Sequence, residues 1–414
     1  MGGPGDPLAA VWEAARATAD GAPVYAVGGP VRDLLRGAPS RDADLAVEGD
    51  AVGLAGRLAA ALGGARVTIH RAFGTAVVRG PGVRIDVAAT RRERYPRPAA
   101  LPIVEPAGIV DDLARRDFTV NALAAALTGR RFGEVLDPFG GRTDLASGRL
   151  RVLHPASFRD DPTRLFRAVR YAARLELAID AATEVLAREA ITAALVGELS
   201  GARVRAELVA LLGESVPTVV AALDLAAGIG LLAATDPALA RATEARGRIE
   251  RLDALQARFG IRLPPWRTRL AAIASGQGEA RVAALTDRLR LRRTDAATVR
   301  AAAGAPRRIG DRLAVAAAPA DVADLLDPLP VDAALVVAAD AGPGAGAAEL
   351  YLDSLRDIRL EIDGTVLRDE LGLAQSPRVG EVLAELLRRK RNGQLADRRS
   401  ELAAARELVG RAAS

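Results

Sequence analysis

The chain has 414 residues, half of them hydrophobic, enough to bury several cores, and this length favours two to four domains over one. It has no cysteine, which excludes disulfides and thiolate metal sites, and no apolar run long and uncharged enough to span a bilayer. The net charge of +5 rests almost wholly on arginine, with Lys390 the one lysine; a GC-rich genome explains that bias as well as a nucleic-acid partner does, so charge alone assigns no function. No basic-then-apolar signal opens the chain, and the expected location is the cytoplasm.

In chain order, residues 24–27 read as a short strand, Gly28 and Gly29 free the backbone to turn, and Pro30 suits the first position of a helix carrying Arg32 and Asp33. A helix start beside glycines favours an anion. Residues 42–47 form the next predicted strand, and its period of two puts Asp42 and Asp44 on one face. Two carboxylates aimed at one point suit magnesium, so corner and strand together point to metal-bound triphosphate. Further strand-like runs lie at 66–69, 75–78 and 83–88; Asp86, in the last, is either a third acid beside the pair or an ordinary hydrogen-bonding strand residue.

Residues 91–111 hold four prolines and no clear period, which predicts a long loop acting as a lid or positioning arm. Arg115, Arg116 and Asp117 then open a predicted helix with Phe118, Ala122 and Leu123 packed inward and Asn121 facing the head. Residues 137–145 read as a turn into a short helix. Beyond Pro155 the pattern is almost entirely helical, at 158–175, 181–195, 202–212, 216–232, 248–259 and 266–274. Within the first of these, Asp161, Arg164, Arg167 and Arg170 recur every three residues and are expected along one side of the helix. Ser200 stands at a helix start and reads as a cap. The run 341–346, rich in glycine, marks a candidate boundary before a final helical segment. Near the end, Arg388, Arg389, Lys390 and Arg391 are either phosphate contacts or a solvated helix end. The fold class is therefore α+β, a mixed-sheet head followed by an all-α remainder. No phosphate-binding Walker sequence or dinucleotide fingerprint is present, and His70 and His154 lack metal-ligand spacing.

The segments Gly28-Gly-Pro-Val-Arg-Asp33 with Asp42-Ala-Asp44, Arg115-Arg-Asp-Phe-Thr-Val-Asn-Ala122, and Asp161-Pro-Thr-Arg-Leu-Phe-Arg-Ala-Val-Arg170 come in that order and at these distances. Together they resemble the class II tRNA nucleotidyltransferase and poly(A) polymerase family. The resemblance implies a small palm-type head over 1–138, a helical neck that recognises the base over 139–215, a body over 216–340 and a tail over 341–414. It implies that Asp42 and Asp44 hold two Mg2+ ions, that Gly28, Gly29, Arg32 and Asp33 form the phosphate corner, and that Arg116 meets the nucleotide. By the same resemblance Asp161 and Arg164 read the base, with Arg167 and Arg170 in support. The implied substrates are CTP and ATP and the implied partner is the acceptor end of tRNA, with no obligate protein partner.

The leading expectation is addition of C, C and A to tRNA 3′ ends. The alternatives are A-only or CC-only addition, poly(A) synthesis, or a catalytically silent RNA-binding protein. The chain departs from the family pattern at Asp160, where Glu is common, and at Ala202, where an acid is usual. It also lacks the His-Asp signature of a phosphohydrolase domain.

Overall fold

The structure is a computed structural model that describes residues 7–38, 42–70, 74–80 and 82–410. The chain falls into two compact units, residues up to 200 with 228–234, and residues 201–227 with 235 onward. In the first, the order is α1 (Pro7–Ala17), β1 (Val24–Val27), α2 (Gly29–Leu35), β2 (Asp42–Val47), α3 (Ala51–Ala61), β3 (Arg66–His70), β4 (Thr75–Gly80) and β5 (Val83–Ala89). A hairpin of β6 (Arg91–Arg94) and β7 (Ile103–Pro106) follows, then α4 (Ile109–Ala114), a 3-10 turn at Thr119–Asn121, β8 (Ala124–Ala126) and β9 (Val135–Leu136). The unit continues through α5 (Gly141–Ala146), β10 (Arg149–Leu150), α6 (Ser157–Asp160), α7 (Thr163–Leu175), β11 (Ala178–Ile179) and α8 (Ala181–Thr192).

Seven strands form one mixed sheet in the order β3-β4-β5-β2-β1-β8-β9, with β2 and β5 parallel and the other pairs antiparallel. Strand alternation divides its side chains between two cores. Val24, Ala26, Ala43, Leu45, Val47, Ile85 and Val87 face Trp12 of α1 and Leu54 and Leu58 of α3. Burying each of those leucines stabilises the fold by about 1.5–3 kcal/mol. On the other face, Val27 and Ala46 meet Ile109 and Leu113 of α4. Glu48, just past β2, accepts from the Ile109 amide at 3.0 Å and so ties the strand end to the first turn of α4.

The fold class agrees with the sequence reading, and β1 and β2 have the expected bounds. Three local expectations change. Residues 91–111 are a two-stranded hairpin plus the start of α4, because Arg91 to Arg94 pairs antiparallel with Ile103 to Pro106 and the prolines collect in the turn and at the strand end. Arg115 ends α4 instead of opening a helix, and the chain passes through the 3-10 turn into β8, although Phe118, Ala122 and Leu123 are fully buried as expected. Asp161 lies outside the helix, in extended backbone between α6 and α7, since the residue before a proline is driven from helical geometry.

The second unit is helical. Arg269, almost fully buried, joins Asp253 through a bidentate pair at 2.7–2.8 Å and donates to the carbonyls of Leu212 and Glu214, so its charge is met on every side. The glycine-rich run at 341–346 is the tight connection into the helix Ala345–Asp353. A separate small core of Ile362, Leu367, Val382, Leu386 and Ala405 holds the last three helices together.

The basic cluster near the chain end is ion-paired within the fold. Arg388 pairs with Asp321 and Asp324, Arg389 with Glu385 and Glu407, Lys390 with Glu361 and Glu401, and Arg391 with Asp327. The helices Pro319–Leu326 and Pro377–Arg391 thus carry matched acidic and basic rows, a pattern legible only once the two are side by side. No helix among the described residues is long and apolar enough to cross a membrane.

Glu401 is fully buried and accepts from the Glu361 and Ile362 amides as well as Lys390 Nζ. Glu401→Ala leaves all three donors without that acceptor, and the last helices should lose about 3 kcal/mol. Hydrogen exchange at the amides of residues 361 and 362 is the readout; unchanged protection would contradict this assignment.

Candidate active site

The site begins at the turn from β1 into α2. Gly28 has φ +72°, a conformation that only glycine adopts without strain, and its amide donates to Leu123 O at 2.9 Å. A Cβ on Gly28 would lie 2.6 Å from Arg116 Nη1, so the bare backbone also makes room for that guanidinium. Gly29 and Pro30 are the first two residues of α2, which puts Pro30 at the second position and not the first. Arg32 is buried, gripping Asp33 at 2.8–2.9 Å and donating to Asn121 Oδ1 at 2.5 Å.

On β2, Asp42 and Asp44 take alternate positions that share a face, the face that farther along carries Ala46 onto α4. The backbone of Asp42 is described; its side chain lies outside the described residues. Asp44 is the register partner of Asp86 on β5, so both project from the same face of adjacent strands. The two line a cavity of about 370 Å³ whose other walls include His70, Asp112, Arg115 and Arg116. Asp86 is itself in an ion pair with Arg84 at 3.1 Å.

Arg115 and Arg116 are held by one carboxylate that the sequence reading did not single out. Asp112, buried, accepts from Arg115 at 2.8 Å and from Arg116 at 3.2 Å. Its spacing three and four residues ahead of them was the available signal. Glu93 of the hairpin accepts from Arg91, Arg115 and Tyr95, which fastens the arm to the same arginines. Burial, then the neighbouring Glu93 charge, pushes the Tyr95 hydroxyl far above its ordinary range.

Asp117 is the second buried carboxylate. It accepts from the Phe118 amide at 2.8 Å, from Asn121 Nδ2 at 3.0 Å and from Arg167 at 2.6–2.8 Å. Burial alone would raise its pKa; the Arg167 charge and the hydrogen bonds from Asn121 and Arg167 outweigh it and hold the carboxyl below the usual range. On α7, Arg164 donates to Ser157 Oγ and to the Arg115 carbonyl, both at 2.7 Å, while Asp161 fixes the start of the helix by accepting from the Thr163 amide and hydroxyl. Arg170 is buried against the Tyr171 ring. The structure therefore gathers Gly28, Gly29, Arg32, Asp33, Arg116 and Arg167 around the 3-10 turn. Asp44 and Asp86 sit on the neighbouring strand face.

The connection behind the turn is equally specific. Asp137 accepts from the Gly141 and Arg142 amides, capping α5, and Asp144 accepts from Thr119 and Arg151. A Cβ on Gly141 would collide with the Thr119 carbonyl. His154 is held below its ordinary pKa by burial and by Arg164, and so is neutral at pH 7.

Residues 24–151 match the family model described as the poly A polymerase head domain. Over that head domain the chain is similar to tRNA nucleotidyltransferases and poly(A) polymerases. It is 47% identical over 218 residues to an A-adding tRNA nucleotidyltransferase of Geobacter sulfurreducens, covering 52% of this chain and 24% of that one. It is 42% identical over 193 residues to a CC-adding tRNA nucleotidyltransferase of Deinococcus radiodurans, covering 46% and 50%. The chain thus spans between a quarter and a half of these curated relatives. Among solved structures, a Thermotoga maritima CCA-adding enzyme complexed with tRNA aligns over 99% of this chain and 96% of its own, at 27% identity and a TM-score of 0.74.

Two outcomes follow. Gly28→Ala should both strain the turn and displace Arg116, lowering stability by about 1–3 kcal/mol; an unchanged urea midpoint would contradict the reading of the corner. Because the Asp117 pKa is depressed on folding, its contribution is present above about pH 4 and is lost as pH falls through the lower folded value. Asp117→Asn should lower neutral-pH stability by about 2 kcal/mol and flatten the acid limb of stability against pH. An acid limb equal to that of the wild type would show that Asp117 does not carry this linkage.

Proposed function

We propose that this chain transfers nucleotidyl groups from CTP and ATP to the 3′ end of tRNA with release of pyrophosphate, adding C, C and A. The observation that carries the reading is the pairing of Asp44 with Asp86 across adjacent strands, both lining a cavity walled by Arg116, with Asp42 at the alternate position of the same strand. The whole-length likeness to CCA-adding enzymes, one of them complexed with tRNA, supports the substrate. In this proposal the division into head 1–138, neck 139–215, body 216–340 and tail 341–414 is retained.

Hard carboxylate oxygens on one strand face suit magnesium, and Asp42 and Asp44 are its proposed ligands, with Asp86 as a third acid beside them. Bound there, the metal supplies Lewis-acid stabilisation of the charge that develops between the RNA 3′-hydroxyl and the leaving pyrophosphate. The chain's own residues position the reactants. The Gly28 and Gly29 backbone leaves space for phosphate oxygens, Arg32, oriented by Asp33 and Asn121, offers positive charge there, and Arg116, oriented by Asp112, meets the nucleotide. Asp161 and Arg164 read the base as acceptor and forked donor, and Arg167 and Arg170 support them. Selection by protein side chains replaces selection by a template.

A second reading, addition of the terminal A alone, is favoured by the higher identity to an A-adding relative than to a CC-adding one, 47% against 42%. Three tRNA transcripts, ending before CCA, after one C and after both, separate the readings when incubated with CTP and ATP singly and together. Full addition extends all three; A-only addition extends the last alone; long adenosine tails indicate a poly(A) polymerase. Asp44→Ala should reduce magnesium-dependent incorporation by about a thousandfold or more. Full activity in that variant would overturn the proposed centre, and no incorporation by the wild type would favour a silent RNA-binding protein.

A further inference from the structure

Tyr171, half-buried on α7, is the aromatic residue around which the site arginines gather. The guanidinium carbons of Arg32, Arg167, Arg170 and Arg174 lie 5.9, 5.3, 4.8 and 5.0 Å from its ring centroid, within the range of cation–π attraction. Phe118, fully buried, meets the same ring edge-on at 6.1 Å and fixes its plane. The hydroxyl also accepts from Arg167 Nη2 at 3.2 Å. Arg167, Arg170 and Arg174 reach the ring from its own helix, whereas Arg32 reaches it from α2.

The contacts close a cycle. Arg32 donates to Asn121, Asn121 donates to Asp117, Asp117 receives Arg167, Arg167 donates to the Tyr171 hydroxyl, and the Tyr171 ring returns to Arg32. Removing Tyr171 opens the cycle at the link that joins its own helix α7 to Arg32 of α2. The ring and the hydroxyl serve different ends of it. The ring faces Arg32, at the phosphate corner, whereas the hydroxyl fixes the guanidinium plane of Arg167, which Asp117 grips from another side. Losing the hydroxyl leaves Arg167 its ion pair with Asp117 and removes one of the contacts that set its guanidinium plane.

We propose that Tyr171 is a positioning residue that couples the phosphate corner to the base-reading helix, its ring supporting nucleotide affinity through Arg32 and its hydroxyl supporting nucleotide selection through Arg167. This rests on the function proposed above. The test compares the wild type, Tyr171→Phe and Tyr171→Leu by calorimetric titration of ATP, CTP, GTP and UTP with magnesium, by single-nucleotide incorporation into tRNA and by thermal unfolding.

Tyr171→Phe keeps the ring. It should bind ATP within about twofold of the wild type and melt at the same temperature, while preference for ATP and CTP over GTP and UTP falls by about tenfold. Tyr171→Leu should in addition weaken ATP binding by about tenfold, a loss that the Phe variant restores. Undiminished preference in Tyr171→Phe, or affinity and preference that fall only in step with the melting temperature, would overturn the inference. If the wild type binds no nucleotide, the proposed function fails and takes the inference with it. If the wild type binds and selects while Tyr171→Phe is unchanged, the inference alone fails.

Discussion

Burying the Asp117 carboxylate carries a desolvation penalty of several kcal/mol unless cations and donors surround it, and the way that penalty is met organises the first unit. Its partners come from two places: Asn121 in the 3-10 turn, whose side chain also orients Arg32, and Arg167 on α7. A charge that cannot reach water fixes its partners' positions more narrowly than an exposed ion pair would. The corner and the helix are consequently held to one carboxylate. Asp112 repeats the device next door, with Arg115 and Arg116 on its two oxygens.

The second constraint is strand periodicity. Leu45 and Val47 are committed to the core shared with α1 and α3, so their neighbours Asp44 and Ala46 must face the other way. A one-residue slip would bury Asp44 in that core and expose Leu45. The parallel pairing with β5 then brings Asp86 beside Asp44. Packing thus decides which face carries the acids.

Much of this was legible in the sequence where one local rule sufficed. The glycine corner, the β2 alternation and the helical remainder follow from backbone freedom and from periods of two and 3.6. What was not legible depended on pairing at a distance. The hairpin at 91–106 has no apolar alternation to announce it, and its strands are recognisable only from their mutual register. Asp161 was placed on a helix by spacing alone, although Pro162 behind it already argued for extended backbone. The basic run ending at Arg391 reads as open charge in the sequence because the acids that meet Arg388 and Arg391, Asp321 and Asp327, lie more than sixty residues earlier. Tyr171 carried no signal of its own, since one aromatic at helical spacing reads as core until the arginines around it are seen.

The central claim is that the β2 face bearing Asp42 and Asp44 is where metal and triphosphate meet. The most direct measurement is a manganese titration followed by electron paramagnetic resonance, in the presence of a non-reacting ATP analogue, on the wild type and on Asp44→Asn. The account predicts protein-bound manganese in the wild type whose affinity falls by at least about tenfold in the variant, with folding unchanged. Equal manganese binding by the two proteins would contradict it.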